Sequence, residues 1–401
     1  MTQNRKHRAR NHESEIPHAT PPPSSTKDAR LKRYIGLMSG TSLDAIDAVL
    51  VDFIDEQPIL HHAINYPLNE SLRDDIRTLC TPGENEIERM GQLDIALGAT
   101  FAAAVKQLLT DTGINTTQIH AIGSHGQTIR HRPGRGKEKG FTLQIGDPNT
   151  IAGLTGITTV ADFRRRDMAV GGQGAPLVPA FHSAFFKHAT HARTILNIGG
   201  MANVTLLPTD AETPISGFDT GPGNILMDGW IQQHQQRPFD HDGQWAASGT
   251  VDIQLLDSLL TDNFFQLAPP KSTGCEYFNL VWLQQYFHKC GRTPAPTDVQ
   301  ATLSELTATS ITDAIKKYAV ENAELVVCGG GARNTDLMQR IVKKLASTTI
   351  KTSDDYGLPA EWVEAVAFAW LAQERLAQRP GNLPGVTGAS HPVVLGGIYP
   401  G

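Results

Sequence analysis

The 401-residue chain has only four cysteines, Cys80, Cys275, Cys290 and Cys328, with no C-x-x-C pair and no metal-finger spacing. That excludes a zinc finger and a disulfide scaffold and makes free thiols the expectation. No apolar run approaches the ~18 residues of a bilayer-spanning helix, and the N-terminus lacks the apolar core of a secretory signal, so a cytoplasmic protein without membrane partners is expected. Charge of one sign is also lacking overall, with 35 Lys and Arg against 41 Asp and Glu. The balance is uneven: residues 1–33 hold eight Lys/Arg against three Asp/Glu, which leaves the body of the chain more acidic than its overall −6. An acidic body argues against nucleic acid as a partner.

What is abundant is glycine, 37 residues, and proline, 24, with 40% hydrophobic residues. This suits a loop-rich α/β protein, long enough for two domains with separate cores. Residues 1–33 are polar, contain Pro21-Pro22-Pro23 and show no apolar periodicity, so a disordered extension is expected. Its basic cluster from Arg5 to Arg10 reads either as a docking arm or as a plain solvated tail.

Three glycine turns organise the rest. Residues 34–53, YIGLMSGTSLDAIDAVLVDF, read as strand, small-residue turn and second strand. Gly40 admits a backbone N–H to an anion, and Ser39, Thr41 and Ser42 offer hydroxyl donors, although an ordinary hairpin with a polar tip would look the same. Residues 193–208 repeat the pattern around Gly199-Gly200, and residues 325–334, LVVCGGGARN, run a buried strand into Gly329-Gly330-Gly331 before a helix.

Between these turns, a third strand is expected from Ile59 to Leu68. Leu93, Leu97, Phe101, Val105 and Leu108 share one face of a long helix. Ile119 to Gly123 should deliver Ser124-His125-Gly126-Gln127 to a strand end, and residues 130–140 have the composition of an exposed loop. Asp147 and Asp162 close short strands, where ligands often bind in α/β proteins. Arg164-Arg165-Arg166 abut the loop Gly171-Gly172-Gln173-Gly174, which favours a forked anion contact by at least one arginine over a solvated run.

Later, Thr297 to Gln300 read as a capping box, Asn334 as a helix cap, and residues 361–378 as a buried helix. Asp219, in GFDTGPGN (217–224), lies beside glycines at a helix N-terminus, where free N–H groups would favour an anion. It is the first candidate for a catalytic carboxylate, with a turn-capping role as the alternative. Glu364 sits in an apolar helix wall and reads equally as a substrate contact or a structural ion pair.

The three turns match the phosphate-1, phosphate-2 and adenosine pattern of the sugar kinase, actin and heat-shock chaperone superfamily. More specifically, the chain resembles the anhydro-N-acetylmuramic acid kinases through GLMSGTSLDAID (36–47), GSHGQT (123–128), LQIGD (143–147), ADFRRRDMAVGGQGAPLVPAFH (161–182), LNIGG (196–200), GFDTGPGNILMDGW (217–230), PKSTG (270–274), CGGGARN (328–334) and LPGVTGAS (383–390). The resemblance implies an α/β, two-domain actin-like (ribonuclease H-like) fold with an interdomain nucleotide cleft. Domain I is expected over 34–163 with 367–401 packing back on it, and domain II over 164–366.

It further implies ATP with Mg²⁺, the metal's ligands being unassigned. The nucleotide would be held by Gly40, Thr41, Ser42, Leu43, Asp44, Ala45, Ile46 and Asp47, by Gly199-Gly200 and by Gly329 to Gly331. Water would open the 1,6-anhydro bridge of 1,6-anhydro-N-acetylmuramic acid while O6 takes the γ-phosphoryl group, in cell-wall recycling. By the same resemblance Asp219 is the general base, Arg166, Glu364 and His125 hold the sugar, and a homodimer is expected; glycine N–H groups near Asp219 would help keep it ionised. Two positions depart from the family pattern: Ala45 replaces the usual Gly after SLD, and Cys275 follows PKSTG where many relatives carry Arg. A conventional amino-sugar kinase, or an ATP-switched binding protein of the same fold, would share these turns.

Overall fold

The computed structural model describes residues 32–40, 43–55, 57–134, 139–210, 212–292 and 294–401. The expected extension 1–33 therefore lies outside the described residues except for Lys32 and Arg33. The first apolar segments form a meander: β1 (Arg33–Ser39) pairs antiparallel with β2 (Ala45–Ile54), and β2 with β3 (Gln57–Pro67). After helices α1 (Glu70–Leu79) and α2 (Glu86–Thr112), strand β4 (Ile119–Ser124) returns parallel to β1. A separate hairpin follows, β5 (Gln127–Arg132) with β6 (Phe141–Ile145), then α3 (Pro148–Thr155) and β7 (Thr159–Ala161), parallel to β4. Helices α4 (Phe163–Ala169) and α5 (Val178–Phe186) lead to the second sheet.

That sheet begins with another meander, β8 (Arg193–Ile198), β9 (Met201–Leu207) and β10 (Ser216–Pro222). Helix α6 (Ile225–Gln235) and further helices intervene before β11 (Glu324–Cys328), parallel to β8, and β12 (Ile350–Thr352), parallel to β11. Near the end of the chain β13 (Gly397–Tyr399) joins the first sheet beside β7. The sheet orders are β3-β2-β1-β4-β7-β13 and β10-β9-β8-β11-β12. Each therefore carries a three-stranded antiparallel meander followed by two parallel strands on the other side of its first strand, to which the first sheet adds β13, antiparallel, at its edge. This duplicated connectivity is the two-domain actin-like, ribonuclease H-like α/β architecture.

Burial divides the apolar residues into three layers. The outer face of the first sheet packs under α1 and α2 through Leu37, Ile46, Leu97 and Phe101, and the outer face of the second under α6 and the helix Pro296–Tyr318 through Leu196, Val204, Leu226 and Leu303. Between the sheets lie α5 and the buried helix Val363–Leu376, with Tyr34, Phe163, Phe181, Ile195, Val326 and Phe368 in one cluster. That helix lies directly on the first sheet: a Cβ added at Gly36 would fall on the carbonyl oxygen of Ala365, and one at Gly123 on that of Phe368. Only glycine allows the backbones to approach so closely.

Several local expectations change. Helix α2 is long and apolar enough to meet the composition of a membrane span, against the expectation from the sequence, but half of that stretch is buried within the protein. Residues 130–132 are strand and not loop; Arg130 bonds Glu86 and the carbonyls of Leu79 and Cys80. The helix after Ala295 starts at Pro296, whose missing N–H is harmless in a first turn, so Thr297 to Gln300 is not its capping box. Asn334 does cap the helix Thr335–Lys344, accepting from the N–H of Leu337. Asp147 caps α3 by accepting from the N–H groups of Asn149 and Thr150, and Asp162 pairs with Arg165, so these strand-end acids serve local structure.

Candidate functional site

In the first turn the Leu43 N–H donates to Gly40 O at 3.3 Å, with Leu43 in the left-handed region at φ +58°. Thr41 and Ser42 lie outside the described residues. Leu43 and Ile46 turn their side chains into the core under α1 and α2, so neither side chain faces a ligand. Ala45 is the first residue of β2, without positive φ, so its methyl costs no left-handed strain. Asp44 is exposed near Arg73, while Asp47 is half-buried and accepts from Asn65 Nδ2 at 2.6 Å.

The second turn differs from expectation in where its donors go. Gly199 O accepts from the Asn224 N–H at 2.9 Å, and Gly200 O from those of Gly223 and Ile225 at 2.9 and 3.2 Å. The N–H groups of Gly223, Asn224 and Ile225 thus bind the glycine turn and are not free for an anion. At the third turn, Gly329 and Gly331 pack against Asn197 and Ile198, whereas Gly330 faces open space. A cavity of about 400 Å³ adjoins this turn, lined by Ala332, Thr335, Met338, Gln339, Val342 and Lys343. A larger one of about 460 Å³ lies between α1 and α2, away from these residues.

Asp219 projects from β10 with 8% of its surface exposed. Its Oδ2 accepts from the Thr273 N–H at 2.8 Å, and its own N–H donates to Lys271 O at 3.0 Å. Burial pushes its carboxyl up to about 7, opposed by the Thr273 bond; Glu276 raises it further, and Lys271 and Arg164 lower it. The donor is therefore threonine backbone and not a glycine, and the group titrates near neutrality instead of being held firmly ionised. The ammonium of the buried Lys271 is held by Phe264 O at 3.1 Å.

His125 is buried, its N–H bonded to Leu37 O and its ring 4.7 Å from that of Phe368. Nε2 accepts from Arg164 Nε and Nη2 at 3.2 and 2.9 Å, and burial with the nearby guanidinium holds the ring well below the ordinary histidine range. Arg164 also donates Nη1 to Gly174 O at 2.7 Å and lies within electrostatic reach of Glu364, Asp167 and Asp219. Arg166 is exposed on the same helix and makes no hydrogen bond or ion pair among the described residues. The arginine brought to Asp219 and Glu364 is thus Arg164, because α4 turns each successive side chain by about 100°.

Glu364, in the first turn of its helix, accepts from Asn197 Nδ2 at 3.1 Å. Burial raises its carboxyl, with Asn197 and Arg164 opposing. Asp47 is pushed up to about 7 by burial despite Asn65, with Glu364 and Glu361 adding repulsion. Asp228 on α6 is pushed up to about 8 by burial, then by Asp44 and Asp240. Such a set of acids with raised affinity for protons, fed by both sheets, suits a site that takes up a cation and moves a proton.

Comparison with known proteins bears on this site. The family model for anhydro-N-acetylmuramic acid kinase matches residues 32–401. The chain belongs to that family. An anhydro-N-acetylmuramic acid kinase of Saccharophagus degradans is 54% identical over 367 residues, covering 91% of this chain and 98% of the relative. One of Coxiella burnetii is 51% identical over 368 residues, covering 92% and 97%. Among solved structures, component A of the Acidaminococcus fermentans (R)-2-hydroxyglutaryl-CoA dehydratase aligns over 86% of this chain and 99% of its own at 12% identity, with a TM-score of 0.46.

Within this kinase family frame, Asn197, Lys271 and Thr273 are site residues that sequence reasoning did not single out, and Arg164 stood there only as one of three like arginines. All four lie inside the quoted motifs. Their parts depend on backbone donors and helix phase, which the residue types do not announce. Cys275, the departure after PKSTG, is exposed.

Proposed function

We propose that the protein uses ATP to phosphorylate O6 of 1,6-anhydro-N-acetylmuramic acid as water adds across the anhydro bridge, giving N-acetylmuramic acid 6-phosphate and ADP. Family membership supports the reaction class, and one local observation carries the mechanism: a buried Asp219 whose carboxyl titrates near 7 and is held by a backbone donor. Asp219 takes a proton from the water that attacks the anomeric carbon; the C1–O6 bond breaks, and O6 attacks the γ-phosphorus with loss of ADP. A base with a pKa near the working pH combines an available ionised form with useful basicity. Glu364, held by Asn197, contacts the sugar, Arg166 binds its anionic side, and Arg164 with His125 shapes the wall between them.

ATP lies along the turn 40–47 and against Gly199-Gly200 and Gly330, with its base toward the cavity beside Ala332 and Met338. Among the described residues no three metal-binding side chains converge. The available donors are hard carboxylate oxygens, which fits Mg²⁺ carried mainly by phosphates with one or two acids. Asp47 is the acid assigned to it, and the ion supplies charge neutralisation during transfer. The protein acts in the cytoplasm, in cell-wall recycling, as a homodimer. Its two domains are 34–163 with 367–401, and 164–366.

The test is ADP release from ATP, Mg²⁺ and the anhydro sugar, with product mass. A gain of one phosphate and one water is expected; phosphate alone, or ADP release indifferent to sugar, would overturn the reading.

A further inference from the structure

Loop 171–174 is held more tightly than a connecting loop requires. Asp167, fully buried, accepts from Asn382 Nδ2 and Thr387 Oγ1, both at 2.7 Å, through Oδ1, and from the Gly174 N–H at 2.8 Å through Oδ2. The Gly172 N–H bonds Asp167 O, the Gln173 N–H bonds Thr387 O at 2.8 Å, and Arg164 holds Gly174 O. A Cβ at Gly172 would overlap the Asp167 carboxylate. From this fixed loop one side chain crosses to the segment beside the base: Gln173 Oε1 accepts from Ser272 Oγ at 3.1 Å. Ser272 lies between Lys271, whose O accepts from the Asp219 N–H, and Thr273, whose N–H donates to Asp219 Oδ2.

We propose that Gln173 is a positioning residue for Asp219, anchoring residues 271–273 through Ser272 so that the Thr273 N–H stays on the carboxylate. This role presupposes Asp219 as the base. The segment 270–274 is irregular and has no ladder to hold it, so a side-chain tether is the economical way to fix one N–H within a few tenths of an ångström. Gln173 touches neither reacting group; it acts through the loop. Loss of the tether frees the Thr273 donor, and a carboxylate that loses a donor to its charged form binds its proton more tightly. Turnover is then lost selectively at low pH.

The measurement is kcat against pH for the wild type, Gln173→Ala, Ser272→Ala, the double variant and Ser272→Thr. Each alanine variant should lower kcat at pH 7 about fivefold, the scale of one hydrogen bond, and move the acid limb of the profile upward. The KM for ATP should change less than about twofold, the double variant should be no worse than either single one, and Ser272→Thr should restore the profile. An unmoved acid limb or additive losses would overturn the proposal. Asp219→Asn is measured alongside: if it keeps turnover, the base assignment itself fails, whereas an inactive Asp219→Asn with an unmoved limb in Gln173→Ala removes only the positioning role.

Discussion

Asn197, next to last in β8, donates Nδ2 to Oε1 of Glu364 at 3.1 Å and so joins the second sheet to the helix lying on the first. The bond fixes an acid whose carboxyl burial has already raised. Asn197→Ala leaves that oxygen without its donor. We expect the KM for the anhydro sugar to rise about five- to tenfold, with ATP affinity little changed, as read by steady-state kinetics and calorimetry.

Asp219→Asn keeps shape but cannot accept the proton. Turnover should fall by about 10²–10⁴-fold, while nucleotide binding persists in a titration monitored by calorimetry. In the wild type, turnover should rise with pH through about 7, where Asp219 becomes ionised. A profile flat between pH 5.5 and 8 would remove it as the base.

Asp228 offers a test on stability. Its carboxyl is raised to about 8 in the folded state, above its ordinary 3.8. The folded protein therefore holds this proton more tightly than the unfolded chain does. The resulting stabilisation is complete below about 4 and is lost as pH rises through about 8. Asp228→Asn should raise Tm by about 2–4 °C at pH 8.5 and leave it nearly unchanged, or lower it, at pH 5. Calorimetry at the two pH values checks the sign.

Gly36→Ala places a methyl on the carbonyl oxygen of Ala365. Because the helix is locked between two sheets, we expect a loss of about 3 kcal/mol or more in urea unfolding. By contrast, Gly330→Ala, which meets open space in the structure, should unfold normally and weaken nucleotide binding instead.

Much of the architecture is legible because periodicity and glycine turns coincide: the first meander, the hairpin that opens the second, the stripe of α2 and the buried helix at 363–376 are all visible as patterns, whereas β10 is masked by its glycines. Short elements are not. Helices α3 and α4 have too few turns for a period, and the strand at 130–132 is hidden by its arginines, of which Arg130 is held by Glu86 and the carbonyls of Leu79 and Cys80. At the site, residue types mark Asp219 and Glu364 as unusual acids. Three arginines in a row look alike until the phase of α4 turns Arg164 inward. That the N–H groups of Gly223, Asn224 and Ile225 are occupied by Gly199 and Gly200, and that Thr273 serves Asp219, are facts of backbone geometry that no side chain records.

The seating of helix 363–376 on Gly36 and Gly123 also bears on the order in which the molecule can be completed during synthesis. Strands β1 and β4 leave the ribosome long before the helix that covers them, and β13 follows later still. Until then the inner face of the first sheet is bare, with Tyr34, Met38, Val49 and Ala121 lacking their final cover. The first half of the chain is thus a dependent product of translation, awaiting the last segment, while the second sheet can pair β8 through β12 from contiguous chain. A nascent chain stalled before residue 363 should bind chaperones through that apolar face and release them once the helix is made.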